Sequence, residues 1–220
     1  MLVLSLDTTT RASSCALVAD GIVIAETVSE PSGAHAARLP GDLQALLREA
    51  GATLRDVDLF AVATGPGSFT GLRIGIATMQ GLAFAEGKPL LGVSALEALA
   101  MIAGSGRVAT WVDAWRGEVY AALYQDGREI AAPVVALPEP LIASLAGAST
   151  TFTGGGAASC RDRIAAALGD LARFAEPMTP PLAGAIGRIA ATSTERPAPH
   201  AIRPLYVRRP DVELTRDRAT

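Results

Sequence analysis

The run Thr64-Gly65-Pro66-Gly67-Ser68-Phe69-Thr70-Gly71-Leu72-Arg73-Ile74-Gly75 restricts the fold more than any other stretch of the chain. Ahead of it, Asp58-Leu59-Phe60-Ala61-Val62-Ala63 has the length and apolar character of a buried strand. Behind it, Phe69, Leu72, Ile76, Met79 and Ala83 recur at spacings of three and four, which is one face of a helix. The glycines therefore sit where a strand hands over to a helix. Backbone N–H groups and the positive helix end can there face an anion, a ligand or another protein. Gly71, Gly75 and Gly81 fall inside the helix, and each costs about 0.8–1.0 kcal/mol relative to Ala. Close approach of another backbone is the expected offset. Gly71, Gly75 and Thr78 share a face distinct from the apolar one. Two neighbours fit that face: the preceding helix of the same chain, or a helix of a partner at a subunit interface.

Leu2–Leu6 and Ser14–Ala19 read as strands, and Asp20-Gly21 supplies a tight turn into a third strand, Ile22–Val28. A helix follows, with Leu39, Leu43, Leu46, Leu47 and Ala50 on one side and Gly51 at its end. Pro40 either starts that helix or kinks it. Pro89–Val93 is a short strand, and Ser94 caps a helix beginning Ala95-Leu96-Glu97, with Glu97 in place for a capping box. Then the pattern restarts. Arg107–Val112 ends at Asp113 as Leu2–Leu6 ends at Asp7, and each Asp precedes an Asp-Gly turn by thirteen residues. Thr151-Phe152-Thr153-Gly154-Gly155-Gly156 repeats the strand-to-glycine-loop transition, with a helix expected over 157–168. The chain thus reads as an α/β duplication of a β-β-β-α-β-α unit. Residues 1–104 form one lobe and 105–191 a shorter second, with a small-residue helix at Leu182–Ala191. A Pro/Arg-rich tail occupies 192–220. In that tail Ile202, Leu205, Tyr206 and Val207 are apolar enough to dock.

The chemistry open to the chain is narrow. The formal charge of −3 gives no overall electrostatic footprint for nucleic acid. No run is long and apolar enough to span a membrane. The first strand meets Asp7 without a basic segment, unlike a signal peptide. Cys15 and Cys160 lack metal spacing and read as a reduced, cytosolic pair. The two histidines, His35 and His200, stand in unrelated contexts, so a His-based metal cluster and a Ser-His-Asp triad both lack their parts. The glycine loop is neither a Walker A loop nor a full dinucleotide fingerprint. Asp7 with Thr8, the glycines Gly65 and Gly67, and Asp113 could still line an interlobe cleft for a magnesium–nucleotide complex. Alternatively Asp7-Thr8-Thr9 performs turn chemistry, its side chains bonding local N–H groups.

These residues resemble the TsaB (YeaZ) family of tRNA threonylcarbamoyladenosine biosynthesis proteins. The resemblance rests on Leu6-Asp7-Thr8, Gly33-x-His35, the glycine stretch Gly65 to Gly75, Asp113-Ala114-x-Arg116-Gly117-Glu118-Val119-Tyr120, and Pro204-x-Tyr206-Val207-Arg208. Together these cover nearly the whole chain, and the glycine stretch is the most specific. Departures are small: Thr64 and Leu72 where arginine and valine are common, and Trp115 where arginine is frequent. The resemblance implies the duplicated two-lobed fold of actin, Hsp70 and sugar kinases. It also implies a non-catalytic partner of the transferase TsaD, whose His-x-x-x-His metal site does not carry over, since Leu39 stands four residues after His35. Pairing would use the first two helices, with His35, Leu39, Leu43, Phe69, Gly71, Leu72, Gly75, Thr78, Met79 and Leu82 as interface residues. TsaE would join the complex, tRNA would be reached only through it, and a homodimer would form when the chain is alone. No catalytic residue, metal or firmly bound cofactor is implied, and ATP or ADP with magnesium would bind weakly or at TsaD. The competing readings are an ATP-hydrolysing enzyme of the actin–kinase class and, less supported by the residues, a glycoprotease-like peptidase.

Overall fold

Three strands open the chain, β1 (Leu2–Asp7), β2 (Ser14–Ala19) and β3 (Ile22–Val28), followed by α1 (His35–Glu49). The computed structural model describes residues 1–10, 12–29 and 35–207, with side chains in α1 described from residue 38 onward. Gly33 and the tail arginines Arg208, Arg209, Arg216 and Arg218 lie outside the described residues. Next come β4 (Leu59–Gly65), α2 (Phe69–Ala85), β5 (Leu90–Ser94) and α3 (Ala95–Ala103). The second half contains β6 (Arg107–Asp113), β7 (Val119–Gln125), β8 (Arg128–Ala136), α4 (Pro138–Ser144) and β9 (Thr150–Thr153). It continues through α5 (Gly155–Ser159), α6 (Arg161–Leu168), β10 (Ala172–Phe174) and α7 (Ala183–Thr192).

The two halves are built alike. Their sheets run β3-β2-β1-β4-β5 and β10-β9-β6-β7-β8. In each, the first strand pairs antiparallel with its hairpin partner and parallel with the strand of the glycine loop. The hairpin turns match as well: Asp20 and Gly21 have φ of +49° and +82°, and Asp126 and Gly127 have +51° and +77°. Two consecutive left-handed residues suit the twist of a two-residue hairpin, which is why Asp-Gly recurs at both positions.

Alternation along β1 sorts its residues to two faces. Leu4 and Leu6 join Leu17, Phe60 and Val62 against α1 and α2, whose Leu39, Leu43, Leu46, Ile76 and Met79 fill that layer. Val3, with Val18, Ala61 and Val93, faces the middle of the molecule, where α3 and α7 lie between the two sheets. Trp111 and Phe152, ring centroids 5.5 Å apart and edge-on, centre a third core under α4 to α6. The order is helices, sheet, helices, sheet, helices.

Three expectations need correction. The repeating unit is longer than β-β-β-α-β-α by a further strand and helix: β5 and α3 in the first copy, β10 and α7 in the second. β10 escaped notice because Ala172-Arg173-Phe174 is too short to show alternation. The helix expected over 157–168 is two, α5 and α6, meeting at Cys160. Finally, α7 belongs to the first sheet rather than to a self-contained second lobe. Ser14 Oγ accepts from Ala183 N–H at 3.1 Å, Glu26 Oε1 accepts from Gly184 N–H at 2.8 Å, and Ser5 Oγ donates to the Ala183 carbonyl at 2.7 Å. Three polar groups of the first sheet thus hold the otherwise unpaired start of α7. At Gly187 a Cβ would stand 2.5 Å from Val18 Cγ2, so only glycine allows this approach.

The buried acids of this core set its pH limits. Burial pushes the Cys15 thiol from 9.0 up to about 12. Tyr124 is raised as well, by burial first and then by the carboxylates of Glu129 and Glu97. Both are favoured protonated in the fold, whereas the unfolded chain ionises at ordinary values, so above the unfolded pKa the folded state holds more protons and stability falls with pH. Denaturant midpoints are expected to drop between about pH 7.5 and about pH 10.5. Equal midpoints would show that neither group is shielded.

Candidate functional site

The glycine loop sits on the end of β1. Ser68 N–H donates to the Thr9 carbonyl at 2.8 Å, and a Cβ at Gly67 would stand 2.5 Å from that oxygen. One turn on, Thr8 Oγ1 donates to the Gly71 carbonyl at 2.8 Å. A Cβ at Gly71 would overlap the Thr8 carbonyl oxygen, and one at Gly75 would overlap Thr8 Oγ1. The offset for two interior glycines is therefore the chain's own Asp7–Thr9 segment, which lies in the groove they leave. Ser68 caps α2, its Oγ accepting from Gly71 N–H at 3.2 Å.

The two acid-ended strands make the same local turn. Asp7 Oδ1 accepts from Thr9 N–H at 2.8 Å, and Asp113 Oδ1 accepts from Trp115 N–H at 2.7 Å. Both make the same turn, side chain to the N–H two residues on. In the second copy, Gly154 N–H donates to the Met178 carbonyl at 2.7 Å, and a Cβ at Gly154 would overlap the Trp111 carbonyl oxygen. Both glycine loops are thus packed on the ends of their neighbouring strands. At Gly67 the close approach is to Thr9, and at Gly65 it is to Leu72 and the Leu205 carbonyl. Among the described residues no cluster of three His, Cys, Asp or Glu could hold a metal.

Of the residues expected at a partner interface, most turn inward. Leu39, Leu43, Leu72 and Met79 are core side chains, and Gly71 and Gly75 are covered by Thr8. The glycines of that face meet Thr8 of the same chain rather than the first helix. The side chain of His35, the first residue of α1, lies outside the description. Thr78 and Leu82 are half-exposed, and Phe69 is 46% exposed. The outward stripe of α2 runs instead through Ala77, Gly81, Phe84 and Ala85, all exposed. Phe84 is 82% exposed, and nothing lies within 4 Å of a Cβ at Gly81. Arg73 is the one charged residue in the 17 of α2. A solvent-facing helix with so little charge leaves an exposed apolar patch on the described surface. Its signal in the sequence was the uncharged spacing Ala77–Gly81–Ala85 beside Phe84, one helical step from the face first singled out. On α1, the exposed residues Pro40, Gly41, Gln44 and Ala45 are uncharged, with Arg48 and Glu49 exposed at its C-terminal end.

The tail docks beside this stripe. Leu205 N–H donates to the Thr64 carbonyl at 2.7 Å, and Gln80 Nε2 donates to the carbonyls of Pro199 and Ile202 at 2.9 and 3.3 Å. Ile202 is buried against Gly92, where a larger residue would meet it. Arg73 stacks over Phe69, 3.9 Å from the ring centroid, and its Nε donates to the Tyr206 hydroxyl at 3.3 Å.

Comparison with known proteins agrees with this architecture. Residues 23–220 match the family model described as TsaD, tRNA N6-adenosine threonylcarbamoyltransferase. An uncharacterized protein of Mycobacterium leprae is 34% identical over 216 residues, covering 96% of this chain and 56% of its own length. One of Mycobacterium tuberculosis is 36% identical over 218 residues, covering 96% and 93%. The Escherichia coli tRNA threonylcarbamoyladenosine biosynthesis protein TsaB is 43% identical over 129 residues, 57% of this chain and 55% of that protein. Among solved structures, YeaZ from Pseudomonas aeruginosa superposes with a TM-score of 0.78 at 33% identity, over 93% of this chain and 99% of that one. Component A of the Acidaminococcus fermentans (R)-2-hydroxyglutaryl-CoA dehydratase shares the fold alone, with a TM-score of 0.54 at 11% identity over 88% of this chain and all of that one. The fold is a duplicated α/β fold of two five-stranded mixed sheets with helices.

Proposed function

Because the chain belongs to the TsaB (YeaZ) family of tRNA threonylcarbamoyladenosine biosynthesis proteins, we propose that it is the non-catalytic partner subunit of a TsaD-type transferase in that tRNA modification. The observation that carries the reading is the uncharged outer stripe of α2, with Phe84 82% exposed and Gly81 open to close approach. We assign pairing with TsaD to this stripe together with the outer face of α1. Ala77, Thr78, Gly81, Leu82 and Phe84 are its α2 side, and the same surface makes a homodimer when TsaD is absent. TsaE joins the paired complex, and tRNA is engaged within it rather than by the isolated chain. No helix among the described residues is long and apolar enough to cross a membrane, and both cysteines are free and buried. A reduced cytoplasmic setting is part of the same reading.

The chain itself has no firm nucleotide site in this reading, since Thr8 and Thr9 fill the glycine groove, and ATP with magnesium acts at the partner. The peptidase alternative finds no nucleophile at Ser68, whose Oγ caps α2. The test is titration calorimetry of the isolated chain, first against Mg·ATP and then against TsaD. Heat with TsaD and none with ATP at high concentration is expected. Micromolar ATP binding that disappears in Asp7→Ala would replace this reading with the ATP-hydrolysing enzyme.

A further inference from the structure

The docked tail and the start of α2 build a surface that the pairing stripe does not use. Arg73 stacks on Phe69 and bonds the hydroxyl of Tyr206, whose ring lies beside Phe69, so that the three side chains form one cluster. The guanidinium lies 3.9 Å over the Phe69 ring, and the two rings stand 5.7 Å apart at 34°. It is open to solvent, Phe69 at 46% and Tyr206 at 42% exposed, with exposed Leu205 and Arg203 beside it. Charge here is one-sided although the whole chain carries −3. Neither residues 69–85 nor residues 197–207 contain a single Asp or Glu, yet together they hold Arg73 and Arg203.

A partner suited to this surface is anionic and carries flat groups that stack on rings and on a guanidinium plane. Unpaired nucleotides of RNA have both properties: bases stack on Phe, Tyr and Arg, and phosphates are drawn to the surrounding cations. An apolar protein surface would leave the unopposed arginines without carboxylates to meet them. We propose that the Phe69–Arg73–Tyr206 cluster is where this subunit touches the tRNA, holding an unpaired base while Arg203 lies along the phosphates. The inference rests on the reading of the chain as a subunit of a tRNA-modifying complex. It adds a direct contact to a chain too acidic overall to bind RNA by itself.

The test measures binding of a tRNA transcript to the complex of this chain with TsaD, by mobility shift over a series of salt concentrations. Co-elution of the two proteins is followed in parallel. Arg73→Gln combined with Tyr206→Ala is expected to weaken tRNA binding about tenfold. The slope of log affinity against log salt is expected to become shallower by about 1, with co-elution unchanged. Tyr206→Phe keeps the ring and is expected to bind as the wild type does. Arg73→Gln alone serves if the double variant melts early. Unchanged tRNA affinity and salt slope in a variant that still co-elutes would overturn the proposal. Loss of co-elution would also overturn it, by making the cluster a protein interface. If the wild-type chain itself fails to co-elute with TsaD, the subunit reading beneath the proposal is what fails.

Discussion

Gly71→Val is expected to unfold the protein at temperatures where the wild type is fully native. Its Cβ would overlap the Thr8 carbonyl oxygen, and the nearest atoms are backbone of a segment held on both sides. Thr8 Oγ1 bonds the Gly71 carbonyl, Thr9 N–H bonds Asp7, and the Thr9 carbonyl accepts from Ser68. The segment therefore cannot retreat without breaking these bonds. Overpacking of a close contact costs about 1–3 kcal/mol, and more where backbone must move; here about 3 kcal/mol or more is expected. In a domain of this length that corresponds to a melting point lowered by about 10 °C. From sequence alone, a bulky residue at Gly75 would read as a pairing variant with an intact monomer. The structure reverses this, because Gly75 too is covered by Thr8. Thermal melts of Gly71→Val and Gly75→Val check the point, and wild-type melting in both would show that the groove is not closed by Thr8.

Gly81→Arg is expected to do the opposite: leave the fold intact and remove pairing. A Cβ at Gly81 meets nothing within 4 Å. Replacing an interior helical Gly in open space gains about 0.8–1 kcal/mol of helix propensity. The same substitution puts a long charged side chain in the middle of an apolar stripe flanked by Ala77, Leu82 and Phe84. A partner packed closely there must either move away or bury an unpaired charge, and central interface positions of this kind cost about 2–4 kcal/mol. That is roughly 30- to 1,000-fold in affinity. Gly71 and Gly81, ten residues apart on one helix, thus have opposite expected outcomes on folding and pairing, because one faces the chain and the other faces solvent.

The sequence was most legible where geometry is local. The Asp-Gly turns, the strand ends at Asp7 and Asp113, and the cap at Ser94 follow from residues within a few positions of one another, and the duplication follows from their repetition. Tertiary placement was less legible. Gly71–Gly75–Thr78 and Ala77–Gly81–Ala85 are both small-residue stripes at helical spacing, and nothing in either says which is buried. What decides is Thr8, more than sixty residues away, and periodicity carries no information across that separation. The same limit explains α7, whose docking depends on Ser14, Glu26 and Val18 of the first sheet. Ile202 is buried, as its apolarity suggested, whereas Leu205 is held through its backbone N–H and its side chain stays exposed; the surface involved, along α2 and β4, was not legible.

The central claim is that this chain works as a docking subunit through the outward stripe of α2. The measurement that tests it most directly is the dissociation constant for TsaD of the wild-type chain and of Gly81→Arg, taken with both proteins' melting curves. The expected result is a variant that melts no lower than the wild type and binds TsaD about 100-fold more weakly or not at all. A variant that melts normally and binds TsaD with wild-type affinity would contradict the account and place the pairing surface elsewhere.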